Sequence, residues 1–179
     1  LVVGQAVNSS VNHPVLWQNN GSMEDLGSLD GNINASGVAW DINLHGNIVG
    51  STYVNKLGFR AFLWQNGVMN NLGTLGGDSS VALGINDSSQ VVGYSRFVDN
   101  KAHAFLWDNG IMRDLGAMER PTSVAEDINN IGQVVGRTQD ENNLTRAFIW
   151  QGGVMQDLEI PAGYSSTSAS AINDVSQIV

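Results

Sequence analysis

The stretch Arg60-Ala-Phe-Leu-Trp64-Gln-Asn-Gly-Val-Met69-Asn-Asn-Leu-Gly73 decides the fold, because most of it returns three more times and the intervening residues repeat as well. The other copies run from His13-Pro-Val-Leu-Trp17 to Leu26-Gly27, from His103-Ala-Phe-Leu-Trp107 to Leu115-Gly116, and from Arg146-Ala-Phe-Ile-Trp150 to Leu158. Trp17, Trp64, Trp107 and Trp150 are spaced 47, 43 and 43 residues apart, and Asn43, Asn86, Asn129 and Asn173 are spaced 43, 43 and 44. The extra residues of the first copy fall in its turn 18–21 and around 31–36, where loops absorb insertions.

In the third copy the pattern resolves into four short strands, a to d, over residues 82–85, 91–95, 104–107 and 111–115. Strands a and b are joined by Asn86-Asp-Ser-Ser89. Strands c and d are joined by Asn109-Gly110, a pair that favours a two-residue hairpin because both positions need positive φ. Asn66-Gly67 and Gly152-Gly153 occupy the same turn. This register places Trp107 opposite Met112 and Phe105 opposite Asp114, with His103 diagonal to that carboxylate. It also places Trp64 by Met69 and Trp150 by Met155, pairs that gain sulfur-aromatic contact. A basic residue precedes every strand c, namely His13, Arg60, His103 and Arg146. Three of them have an acid in strand d, Asp25, Asp114 and Asp157, whereas Asn71 takes that place in the second copy.

Phe105 and Trp107 point to one side of strand c while Ala104 and Leu106 point to the other, so both faces are apolar and each meander must lie between two neighbours. Strands a and b carry Ala, Gly and Val, strand c the bulky aromatics, and strand d charge. That gradient describes a wedge with its thin side at a shared axis, the shape of a β-propeller blade.

The 179 residues suit one domain. A formal net charge of -9 disfavours nucleic acid and anionic membranes, and no apolar run reaches the ~20 residues of a spanning helix. The absence of cysteine excludes disulfides and thiolate metal sites.

His103-Ala-Phe-Leu-Trp107, the Asn-Gly-x-Met-x-Asp-Leu-Gly run and the Ile-Asn-x-x-x-Gln-Val-Val-Gly hairpin together resemble the bacterial extracellular HAF repeat family, over essentially the whole chain. Pro14-Val15 departs from its Ala-Phe and Leu158-Glu159 from its Leu-Gly. The resemblance implies a secreted or surface-exposed repeat protein without an assigned active site. The a-b hairpins also look like calcium-binding hairpins of integrin-type propellers. Each offers at most one or two carboxylates where calcium needs six to eight oxygens, so their Asn residues are read as turn formers.

The three histidines do not cluster for zinc, and Glu24-Asp25, Glu126-Asp127 and Asp140-Glu141 are chain neighbours rather than facing glycosidase acids. No metal, cofactor or catalytic residue is assigned. Four tryptophans share one strand c position and are read as core. Trp40, set against Gly84, Asp127 and a residue near Ala171, breaks the small-residue rule near the axis and is the candidate ligand-contact residue. Sequons at Asn8, Asn20, Asn34, Asn86 and Asn143 are candidate glycosylation sites.

These observations predict an all-β, four-bladed β-propeller of units 1–37, 38–80, 81–124 and 125–168, with 169–179 completing the first blade by pairing with residues 1–6. The expected role is a non-catalytic extracellular or cell-surface scaffold that contacts proteins, glycans or copies of itself. Two alternatives stay open: a filament subunit joined by terminal strand exchange, and a carbohydrate-active enzyme with its site at the mouth of the ring.

Overall fold

The hairpin turns follow from their residues. Asn66 and Gly67 have φ of 51° and 81°, Asn109 and Gly110 of 48° and 88°, and Gly152 and Gly153 of 60° and 94°, the left-handed pairs that match strand twist. A computed structural model describes residues 1–8 and 10–179, and all of its elements are strands. The first sheet has three, β1 (Val2–Asn8), β2 (Val11–Trp17) and β3 (Met23–Asp25). The second is β4 (Gly37–Ile42), β5 (Ile48–Val54), β6 (Gly58–Gln65) and β7 (Val68–Asn71). The third is β8 (Ser80–Ile85), β9 (Val91–Arg96), β10 (Ala102–Asp108) and β11 (Ile111–Gly116), and the fourth is β12 (Thr122–Ile128), β13 (Val134–Gln139), β14 (Thr145–Gln151) and β15 (Val154–Asp157). Every pairing is antiparallel and sequential. The expected register holds at Phe105↔Asp114, Trp107↔Met112, Trp64↔Met69 and Trp150↔Met155.

Two apolar faces per sheet force the sheets to stack face to face. Val49, Ala61 and Leu63 of the second sheet meet Ala82, Ile85, Val91 and Phe105 of the third, with Trp107 and Met112 packed alongside. Val92, Ala104 and Leu106 meet Ala125, Ile128, Val134 and Phe148 in the same way, and Leu16 meets Ala39, Ile48 and Phe62. Phe62, Phe105 and Phe148 are fully buried, each contributing about 1.5–3 kcal/mol. The four strand c tryptophans, Trp17, Trp64, Trp107 and Trp150, stay half-buried at the edges of these layers rather than in the core. Small side chains let the inner strands β4, β8 and β12 approach one another.

The expected pairing of residues 169–179 with residues 1–6 is not formed. Ile172 pairs antiparallel with Ile178, and Ala171 with Val179, so this segment folds its own inner hairpin. Its Ala169, Ile172 and Ile178 pack on Val135, Ala147 and Ile149, repeating the offset of the earlier interfaces. The segment supplies its own second strand at Ile178 and Val179, which lies at the edge that β1 was expected to fill. Val2 on β1 is left exposed, and the sheets do not close into a ring.

Each inner strand carries a β-bulge, between Ala39 and Asp41, Ala82 and Gly84, and Ala125 and Asp127. The strand register corrects the placement of Trp40, in agreement with the 43-residue spacing of Asn43, Asn86 and Asn129. Trp40 corresponds to Leu83 and Glu126, while Gly84 and Asp127 correspond to Asp41. Opposite each bulge stands a glycine, Gly50, Gly93 or Gly136, where an added Cβ would lie 2.0 Å from the carbonyl oxygen of Val38, Val81 or Val124.

The departure at Pro14 has a structural counterpart. The amides of Ala61, Ala104 and Ala147 donate to the hydroxyls of Ser80, Ser123 and Thr167 at 3.0, 2.8 and 3.1 Å. In the first copy Pro14 has no N–H and Gly37 no hydroxyl. A Cβ on Gly37 would come within 3.0 Å of the Pro14 ring and 2.7 Å of the Thr52 methyl. Gly37→Ser is therefore expected to destabilise by about 1–3 kcal/mol, and Pro14→Ala to recover about 1 kcal/mol of it by supplying the missing donor. Chemical denaturation of both single variants and the double variant measures the coupling, and strictly additive effects would remove this explanation.

Candidate ligand grooves between the sheets

The a-b turns form a ladder around the inner end of the stack. Asn43 Nδ2 donates to the carbonyl of Asn86, Asn86 Nδ2 to that of Asn129, and Asn129 Nδ2 to that of Asn173, at 3.1, 3.2 and 3.0 Å. The matching Oδ1 atoms accept from amides within their own turns, such as Gln90 N at 3.0 Å and Gln133 N at 2.9 Å. Turn formation, as read from sequence, is half of what these asparagines do; the other half is to fasten one sheet to the next. The ladder borders a cleft of about 300 Å³. At its mouth Asn130 Nδ2 donates to both Asp87 and Asp174, at 2.8 and 2.9 Å. Hydrogen bonds from Asn130 hold the Asp174 carboxyl below the usual range.

Two carboxylates lie deeper. Burial pushes the Asp41 and Asp127 carboxyls above their ordinary value, with the charge of Asp127 adding to the effect on Asp41. Each is engaged by backbone amides. Asp41 accepts from Ile42 and, on the next sheet, Ile85, at 2.8 and 2.9 Å. Asp127 accepts from Ile128 and Ile172, both at 2.8 Å. The third copy has Gly84 at this position, where an added Cβ would come within 3.2 Å of the Asp127 Cα.

The basic positions before strand c diverge more than sequence indicated. His13 pairs with Asp25 at 2.8 Å and His103 with Asp114 at 3.1 Å, as the register requires. Arg146 does not pair with Asp157. That carboxylate is taken bidentately by Arg120 from the preceding linker, at 2.9 and 2.6 Å, and Arg146 donates to the carbonyl of Ser165 instead. Arg60, with Asn71 in place of an acid, donates from Nη1 to the carbonyls of Phe59 and Asp78.

Two grooves open beside these positions. One, of about 370 Å³, lies between the first and second sheets, with His13, Asp25 and Met69 in its wall. The other, of about 500 Å³, lies between the second and third sheets, with Lys56, Arg60, Asp78, Phe97 and Asn100 in its wall. Tyr53 and Phe59, on the strands that flank the Lys56–Leu57 turn, are exposed and meet edge to face at 5.6 Å, and Phe97 in the groove wall meets His103 at 4.9 Å. Sequence reading missed this aromatic group. The signal was present as a break in the repeat, since Tyr53 corresponds to Arg96 and Gln139, and Phe59 to Ala102 and Thr145.

Trp40 is 53% exposed at its bulge, away from this aromatic group in the chain's repeat frame. Asn20, Asn34 and Asn143 are exposed, and the sequon at Asn8 runs through Ser9, outside the described residues. Asn86 is a correction: it is buried within the ladder and its amide is occupied by Gln90 and Asn129, so it offers no acceptor for a glycan. Among the described residues no three histidines or carboxylates converge as metal ligands, and no helix is long and apolar enough to cross a membrane.

No family model and no curated protein matches the chain. Among solved structures it is similar to a fucose lectin from Kordia zhangzhouensis in complex with methyl-fucoside, at 15% sequence identity, over 72% of this chain and 98% of that one, with a TM-score of 0.42. A likeness of that degree assigns neither ligand nor site.

Proposed function

We propose that this chain is a non-catalytic repeat scaffold of the extracellular HAF type, its sheets acting as blades of a β-propeller-like assembly, and that its ligands are glycans held in the inter-sheet grooves. The carrying observation is Phe97 in the groove wall with Lys56, Arg60, Asp78 and Asn100, together with the exposed Tyr53–Phe59 pair on the strands that flank the Lys56 turn. Aromatic faces stack on sugar C–H surfaces while charged and amide groups take the hydroxyls. The buried acids Asp41 and Asp127 favour this reading over a hydrolase, because backbone amides occupy both oxygens of each.

The filament reading has an observation of its own. Val2 and Met23 on the outer face of the first sheet and Val179 at the opposite end of the stack are exposed, and these positions face a neighbour in the internal interfaces. A glycan array probed with the purified chain, with light scattering on the same sample, tests both readings. Glycan binding by a particle of monomer mass supports the scaffold. A silent array with mass growing with concentration would replace it with self-assembly.

A further inference from the structure

Arg60 is 8% exposed, and among the described residues no carboxylate lies within ion-pair distance of it. A buried cation is costly unless a counter-charge accompanies it. The equivalent residues avoid the problem: His13 and His103 hold Asp25 and Asp114, and Arg146 is only partly buried. Arg60 uses one nitrogen, Nη1, for both of its protein bonds. Among the described residues its Nε and Nη2 have no protein partner and are not sealed from solvent, and Arg60 lines the groove between the second and third sheets. Lys56, held on a tight turn at φ 65°, brings to the same groove a second cation with no ion partner among the described residues. Asp78 is the opposing charge there.

From this excess of positive charge, two cations against one carboxylate, we infer that the groove binds an acidic oligosaccharide, one bearing uronic acid carboxylates. The inference rests on the glycan-binding reading above and narrows it. A carboxylate presents two oxygens to the free edge of Arg60, the planar geometry that guanidinium matches, and Lys56 adds attraction at the rim. Phe97, with Leu57 and Val98 beside it in the wall, gives the sugar ring an apolar face, while Asp78 and Asn100 accept hydroxyl protons. A volume of about 500 Å³ lies within the roughly 300–1,000 Å³ of small-ligand sites. With a net charge of -9 the rest of the chain repels polyanions, so binding of an acidic glycan must be local.

The test is titration calorimetry of the whole chain with oligogalacturonate and with neutral oligomaltose of matched length, using Lys56→Glu and Asn71→Asp. Asn71 stands opposite Phe62 as Asp114 stands opposite Phe105, so Asn71→Asp adds a negative charge on the strand beside Arg60 at nearly unchanged side-chain shape, and its melting temperature reports that the fold is intact. The expected result is that the wild-type chain prefers the acidic ligand by about tenfold or more and that each variant weakens acidic binding about tenfold. Equal affinity for both ligands, acidic binding unchanged in both variants, or equal binding of polyglutamate overturns the inference. If neutral glycans bind wild type and variants alike, this inference fails while the broader reading stands; if no glycan on the array binds, both fail.

Discussion

Gly136→Ala is expected to destabilise the chain by about 3 kcal/mol or more, because the new methyl would lie 2.0 Å from the Val124 carbonyl and must displace backbone. The inner strand is bulged at this point, between Ala125 and Asp127, and its neighbour β13 is held in place by β14 on the other side. Neither strand can retreat without breaking a ladder. Gly4 holds the same repeat position in the first sheet, which has no inner strand, and the nearest atom to an added Cβ there is Trp17 Cζ3 at 3.2 Å. Gly4→Ala should cost less than about 1 kcal/mol, since a side-chain edge can shift. Urea denaturation of the two variants gives the comparison, and equal losses would mean that the bulge does not impose the glycine.

Asn129→Ala is expected to cost about 2–4 kcal/mol, through three lost hydrogen bonds at a buried site. The bonds are from Nδ2 to the Asn173 carbonyl at 3.0 Å and to Gln133 Oε1 at 2.8 Å, and from Gln133 N to Oδ1 at 2.9 Å. Asn173→Ala removes a turn former from an exposed copy with no further sheet to fasten, and should cost about 1 kcal/mol or less. Hydrogen exchange separates the roles: Asn129→Ala should speed exchange at Asn130 and in the 170–179 segment, where Asn173→Ala affects only its own turn. Identical exchange patterns would show that the ladder does not join the sheets.

The hairpin register was legible because a two-residue turn leaves no freedom. Asn109-Gly110 fixes Trp107 against Met112, and period-two alternation then sends Phe105 and Leu106 to opposite faces. Two apolar faces required stacked sheets, and the stacked cores follow. The repeat position of Trp40 was legible in the 43-residue spacing of Asn43, Asn86 and Asn129, which sets it against Leu83 and Glu126, but the bulge that leaves this position unpaired in each of those strands was not. Nor was the fate of Asp157. Its partner by register was Arg146, and a linker arginine from outside the meander reached it first.

For the candidate groove, the sequence contributed Asn71 in place of an acid, and the lone basic residue that this leaves at position 60. The tertiary structure decided what that substitution means. Only packing of the second sheet against the third buries Arg60 and gathers Lys56, Phe97 and Asn100 around it from different loops. The same division holds for the ends of the chain: repeat period alone assigned residues 169–179 to inner strands, while the tertiary structure pairs Ile172 with Ile178 of the same segment rather than with β1. Local chemistry fixes turns and register because neighbours in sequence settle them, and sheet-to-sheet contacts stay undetermined until side chains distant in sequence compete for the same space.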